Sequence, residues 1–394
     1  MTASHRFASL LLVLGASLSP PVFAQSVQQA LETAKGFEAA SQFSEAIGAL
    51  APHKDLARPE VDYALAYAHL NRQLQGGASA AVVPAAEDFA QALRYANRAA
   101  ATEHGRSLYL LSLIHGSGWG VPADAAKSRG FLERAAKAGD VVARADYAVM
   151  LYEGRMGAPR DVATACALFA EVLVKEEVGM VASYYLGLAT ARGECGLGPD
   201  MPRALALIRR AAEAGVTEAE RDIGRALETG DGTERNLDAA LVWYTRAAAK
   251  SDGFSLWRLG MAHVNGQGRV LDTVLGVDYL KRAVDAGSAD AMASLAALLA
   301  AGDGVAQDFG VARALYQRAA RAGQPQAHRD LALLDLAGQG AAADPAQAWV
   351  NYSKAVALGH APEPKLEAAI KAAMSPAQSA QAEAELATWR ASRP

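Results

Sequence analysis

The sequence predicts an all-α fold, a linear array of stacked helix pairs. Two registered lattices and the composition lead to that reading. Seven glycines, Gly118, Gly154, Gly193, Gly230, Gly266, Gly302 and Gly338, recur at spacings of 36, 39, 37, 36, 36 and 36 residues. In phase with them run seven cations, Arg98, Arg134, Arg210, Arg246, Arg282, Arg318 and Lys354, whose one wide gap of 76 residues holds a unit lengthened by four. Internal repetition at this period is the signature of a repeat architecture. Ala alone makes up nearly a quarter of the chain, while Phe, Trp and Tyr reach only 7%. That balance suits helices packed at close range and disfavours a β-sandwich, which draws on Val, Thr and aromatics. With 394 residues the chain is also longer than the roughly 250–300 over which a single core grows.

From the N-terminus, residues 1–24 read as a secretory signal peptide. His5 and Arg6 precede an apolar run over residues 7–18, and small residues then lead to an expected cleavage after Ala24. The run is too short to span a bilayer, which takes roughly 20 residues, and no Cys follows the site to carry a lipid. The expected location is therefore periplasmic or secreted. Residues 25–106 form an N-terminal region of weaker repeats. Residues 27–51 read as one amphipathic helix pair, and 60–74 with 87–101 as a degenerate pair joined by the long loop 75–81.

Residues 107–361 carry about seven regular units, each of two helices. The first helix is apolar at helical spacing, as in Ala291, Leu295, Leu298 and Leu299. It stops at a Gly-x-Gly pair, where Gly takes the left-handed conformation that ends a helix. An Asp or Asn four residues after the second Gly (Asp124, Asn236, Asp272, Asp308, Asp344) is the expected N-cap of the second helix. That helix carries a stripe such as Ala312, Leu315, Tyr316 and Ala319, and its lattice cation sits in the last turns, where positive charge favours the helix dipole. Neither helix of a pair this short can bury its apolar face alone, so stacking neighbours must supply the core. The second unit departs from the pattern over 174–179, and the third has an irregular loop over 193–200. Beyond residue 361 the period is lost. There 364–374, then Ser375 and Pro376 as cap and first-turn residue, then 377–393 read as a C-terminal helical cap over 362–394.

The succession of helix, Gly-x-Gly-Val, Asp and a helix ending Arg-Ala-Ala-x-Ala-Gly closely resembles the Sel1-like repeat, a relative of the tetratricopeptide repeat. Its fullest copy runs from Leu298 to Gly323, through Gly302, Gly304, Val305, Asp308, Tyr316, Arg318, Ala319 and Ala320. The resemblance implies a right-handed α-solenoid whose concave face, lined by the first helices, binds proteins or peptides.

The residues offer little chemistry. The Gly-x-Gly pairs end helices and recur, unlike a phosphate loop, which follows a strand and has a partner Lys. The loop carboxylates Asp231 and Asp303 are too few for calcium. No His or Cys spacing suggests a metal, and no nucleophile elbow is present. His115 and His263 occupy a slot that holds Leu151, Leu227 and Leu299 in other units, so they read as packing residues. Phe131, Trp243, Tyr244, Tyr279, Tyr316 and Tyr352, just before the lattice cations, read as inter-helix core, and mixed charges such as Arg221, Asp222 and Arg225 as a solvated face. A net charge of −4 argues against nucleic acid as a partner.

Three functional classes follow. The first is a non-catalytic exported scaffold that binds a protein or peptide, in an envelope complex, with no cofactor. The second, suggested by the resemblance, is a carbohydrate- or peptidoglycan-binding accessory of polysaccharide export or cell-wall metabolism. The third is a hydrolase; cysteine-rich relatives of this repeat type with cell-wall links carry a Cys pair in every unit, and this chain has two Cys in all. The scaffold reading is preferred. Its expected contact residues are Tyr184, Arg221, Arg225, Trp257 and Arg258, types enriched at interface hot spots. Tyr184 and Trp257 have core packing as the competing role. Cys166 and Cys195 are expected at helix ends on the same edge of the array, where a disulfide would close a loop of about 30 residues and stabilise it by roughly 3 kcal/mol; two separate thiols are the alternative.

Overall fold

The computed structural model describes residues 20–75, 85–175, 178–196 and 198–392. Most of the expected signal segment, residues 1–19, lies outside them, as does most of the expected 75–81 loop. Among the described residues all regular structure is helical, and the helices form an all-α solenoid of paired helices. Two compact units part after Ala182.

The first unit opens with α1 (Pro20–Ala39), which runs through the expected cleavage point, and α2 (Phe43–Leu50). A 3₁₀ turn over Ala51–Leu56 follows, for which the periodicity gives no sign. Then come α3 (Pro59–Gln75), α4 (Ala85–Ala100), α5 (Gly105–Ser117), α6 (Ala125–Lys137), α7 (Val141–Glu153) and α8 (Val162–Val172). The helix α9 (Gly179–Ala191) leads into the second unit with α10 (Met201–Glu213), α11 (Thr217–Thr229), α12 (Leu237–Ala249), α13 (Gly253–Asn265) and α14 (Thr273–Asp285). It continues with α15 (Ala289–Ala301), α16 (Phe309–Arg321), α17 (Pro325–Ala337) and α18 (Pro345–Ala357), and closes on α19 (Pro364–Ala373) and α20 (Pro376–Ala391).

One loop shows why the units take this form. Gly338 ends α17 at φ +68°, its N–H donating to the Leu334 carbonyl. Gly340, at φ +76°, lies so close to the preceding unit that a Cβ there would stand 2.7 Å from the Phe309 carbonyl oxygen. The first Gly therefore stops the helix, and the second lets the loop touch the start of the previous unit's second helix. Asp344 then closes the turn: its N–H donates to the Asp335 carbonyl at 2.8 Å, and its carboxylate accepts the Gln347 N–H at 3.0 Å. The same side-chain cap forms at Asp124, Asn236, Asp272 and Asp308, and also at Asp161 and Asp200 in the two irregular units.

In the pairs α11–α12, α13–α14 and α15–α16 the second helix packs on its own first helix and on the first helix of the next pair. In the second unit of the chain one buried core runs through these pairs, from Tyr184 to Leu334, and Ala supplies many of its fully buried positions. First helices of successive pairs also approach one another, α13 with α15, and α3 with both α1 and α5. This approach makes the first helices the inner face of each unit. The C-terminal pair differs, because α20 lies against α18 through Val350, Ala382 and Leu386.

Two of the lattice cations reach back to the carbonyl end of the preceding helix and also bind an acid on the first helix of their own pair. Arg246 reaches the carbonyl of Ala212, in the last turn of α10, at 3.1 Å and pairs with the buried Glu220. Arg98 reaches the Lys54 carbonyl and the buried Asp62. The favourable charge at a helix end is thus delivered to the helix before it.

Candidate functional site

The inner face of the second unit is built from α9, α11, α13 and α15, and side chains one repeat apart bridge it. Tyr184 on α9 donates from its hydroxyl to Asp222 on α11 at 2.9 Å. Trp257 on α13 donates its indole N–H to the Ser294 hydroxyl on α15 at 2.9 Å. The first unit repeats the device: Tyr109 on α5 donates to Asp146 on α7 at 2.6 Å. Helix rotation explains the spacing, since each acceptor lies one repeat plus one or two residues after its donor.

Three of the five expected contact residues converge on one carboxylate. Asp222 takes the Tyr184 hydroxyl, Arg221 Nε at 3.4 Å and Arg225 Nη2 at 3.6 Å. Arg221 also reaches Asp252, the N-cap of α13, at 3.3 Å. Burial works against the Arg221 charge, yet Asp222 and Asp252 outweigh it and raise its pKa. Burial, then the Asp222 charge, pushes the Tyr184 phenol up as well. The mixed charges expected to be a solvated face are therefore largely a bonded network: the Asp222 side chain is only 11% exposed. Tyr184 belongs to the core, so its ring is not free for a partner.

Arg258 stands apart from that cluster. It pairs with Glu228 on α11, with Nε 3.1 Å from Oε2, and its guanidinium lies 5.1 Å from the Trp257 ring centroid. Tyr244 donates to the same Glu228 oxygen at 2.8 Å. Trp257 is half-buried against the core and meets Phe254 edge-on. Arg225 is the open member, its side chain 62% exposed. It rims, with Asp222, a pocket of about 210 Å³ whose floor is Leu188, Leu205 and Ile208. The acceptors Asp222, Glu228 and Ser294 escape a reading by residue type. The signal that finds Asp222 and Ser294 is a donor on one first helix and an acceptor one repeat later, offset by one or two residues; Glu228 precedes its donors Tyr244 and Arg258 and leaves no such signal.

The remaining singled-out residues are structural. His115 stacks on Phe131 (5.4 Å, 13°) and His263 on Tyr279 (5.8 Å, 5°). Arg134 and Arg282 lie over those same rings. Tyr244, Tyr316 and Tyr352 are buried. Cys166 and Cys195 are both disulfide-bonded. Among the described residues no group of three or more His, Cys, Asp or Glu is arranged to hold a metal, and no helix is long and apolar enough to cross a membrane.

The Sel1 repeat family model matches residues 105–140, 141–171, 181–216, 217–252, 253–288, 289–324 and 325–360, well over half of the chain. The chain belongs to the Sel1 repeat family. The boundaries of these Sel1 repeats fall where the first helices begin, and the shortened second repeat ends within α8, next to the irregular 174–179 stretch. Among solved structures, the Sel1 repeats resemble c5321, a protective antigen of uropathogenic Escherichia coli with an SLR fold. That match has 22% identity and a TM-score of 0.66, over 86% of this chain and 70% of that one. A Sel1 repeat protein from Oxalobacter formigenes matches at 21% identity and a TM-score of 0.50, over 79% and 86%. Both likenesses concern the fold. Chitin synthase regulatory factor 2 of Schizosaccharomyces pombe is 27% identical over 184 residues, 45% of this chain and 36% of that protein. The chain spans about a third of the length of this curated relative.

Proposed function

We propose that the chain is a non-catalytic adaptor that binds a protein or peptide partner on the inner face of its central Sel1 repeats. The observation that carries this reading is the pocket beside Arg225. It joins an apolar floor to an exposed guanidinium in one place, with Asp222 and Asp231 on the same rim, and an exposed Arg beside an apolar hollow is of the kind enriched at interface hot spots. Trp257 and Arg221 extend the same face on either side, both partly open. Tyr184 and Arg258 serve it from beneath by fixing Asp222 and Glu228. A regulatory factor among the relatives agrees with an adaptor role. We also propose that the protein is exported, on the strength of the charged and apolar segment over residues 5–24, and that its partner sits in an envelope complex.

The test is capture of partners by the purified full-length protein from its own envelope fraction. Arg225→Glu should abolish capture while helicity and melting stay at wild-type values. Full-strength capture by the folded variant would move the site elsewhere, and recovery of a glycan in place of a protein would replace the adaptor reading.

A further inference from the structure

We propose that the groove between α1, α3 and α5 is a second binding site, and that it takes a lysine or arginine side chain from an extended peptide. The groove, about 650 Å³, lies on the inner face of the first unit, and most of its lining falls before the first Sel1 repeat. Its wall is aromatic. Tyr63 and Tyr67, both half-buried, have ring centroids 6.0 Å apart, and His104 lies 5.8 Å from Tyr63.

Glu38, on α1, also lines this groove, and its Oε1 is shut off from water with no hydrogen-bond partner. Lys35, three residues earlier on the same helix, lines the groove too and its charge offsets part of the effect of burial on Glu38, and Glu60 on α3 adds a second carboxylate to the lining. A carboxylate oxygen left so is a standing cost to the fold, because desolvation is not offset by any bond. Burial raises the Glu38 pKa in consequence. Once the carboxylate turns toward the groove any donor supplies the missing bond, but only a cation also adds to the partial compensation from Lys35 and gains from the faces of the tyrosines. A neutral sugar would stack on Tyr63 and add nothing to that compensation. Exposed Lys35 and Arg106, which line the same groove, suit the backbone carbonyls on either side of such a residue. A peptide thus fits the mixture of charges better than a free amine.

The experiment uses the full chain and three probes: the blocked peptide acetyl-Ala-Ala-Lys-Ala-Ala-amide, its norleucine analogue, and chitotetraose. Calorimetric titration should show the lysine peptide binding at least about tenfold more tightly than the norleucine analogue. Glu38→Gln should erase that difference without lowering the melting temperature, since the buried Glu38 oxygen has no hydrogen bond to lose and its charge is only partly offset by Lys35. As a second variant, Tyr63→Leu should weaken the lysine peptide about threefold or more, and Arg225→Glu should leave it unchanged, which separates this site from the central one. Equal binding of the two peptides, lysine preference that survives Glu38→Gln, binding of chitotetraose alone, or no binding at millimolar probe would each overturn the proposal.

Discussion

Arg225 and Arg258 are the same residue type on neighbouring first helices, yet their surroundings assign them opposite duties. Arg225 is mostly in water and holds Asp222 only at 3.6 Å, a weak pair. Arg258 is 22% exposed and shares Glu228 with Tyr244. Removing Arg258 would leave a poorly hydrated carboxylate with half its partners. We expect Arg258→Ala to destabilise the protein by about 2 kcal/mol or more, and Arg225→Ala to stay within about 0.5 kcal/mol, both measured by denaturant titration. A second residue-scale test uses pH. Glu363 accepts two bonds from Arg329 and one from His360, and Arg329 above all holds its carboxyl down at about 2. A depressed carboxyl contributes stability that is fully present above its unfolded value and is lost as pH falls through the folded one. The stability gap between wild type and Glu363→Gln should therefore be constant above about pH 5 and close between pH 4.5 and 2. Because Glu363 is about a third exposed, the gap itself should not exceed about 1 kcal/mol. At this scale the sequence offered residue types, Arg, Trp and Tyr, but not their bonding. Whether Tyr184 faces core or solvent depends on the rotation of α9 against α11, which no single helix encodes.

Helices and their ends were the most legible part. The caps follow from local chemistry: a left-handed Gly, a short turn, and an Asp or Asn side chain within reach of an N–H three residues on. The same logic read Ser375 and Pro376 correctly, and the structure adds the reciprocal bond of a capping box with Gln378. The 3₁₀ turn at Ala51–Leu56 was not legible because none of its residues is buried, so it leaves no apolar period. The two kinds of Gly can be separated by experiment. Gly323 has φ +89° and nothing within 4 Å of a built Cβ, whereas Gly340 has both a positive φ and the Phe309 carbonyl in the way. Gly323→Ala should cost about 1 kcal/mol from backbone strain alone. Gly340→Ala should cost about 2 kcal/mol or more, because the loop must also withdraw from α16. Equal losses in thermal melts would refute the close-approach role of the second Gly.

At the scale of the whole molecule, stability is a sum of neighbour contacts, since among the described helices the substantial contacts join helices one or two apart in order. Such an array need not unfold all at once. Trp243, Trp257, Trp349 and Trp389 all lie in the second unit, so tryptophan fluorescence reports chiefly on that unit, while circular dichroism reports on every helix. The two curves should fail to coincide in urea, and coincident curves would mean cooperativity beyond neighbours. The disulfide-bonded cysteines give a second measurement: unreduced protein should take up no alkylating reagent, and reduction should lower stability by about 3 kcal/mol. N-terminal sequencing of the natural protein should begin at Gln25 if the export reading holds.

The bridges along the inner face have a consequence for how such a chain can change. Tyr109 finds Asp146, Tyr184 finds Asp222, Trp257 finds Ser294, Gln324 meets Asp290, and Arg329 finds Glu363. Among these links only the two Tyr–Asp bonds use the same pair of residues. Copies of one helix pair are close enough in backbone to be exchanged, but exchanging them would strand a phenol or an indole against a neighbour that cannot accept its proton. The links therefore act as a key that restricts the order of the copies. A chain that grew by duplication has in this way lost most of its freedom to be shuffled, and where the links differ a place along its inner face has become an address.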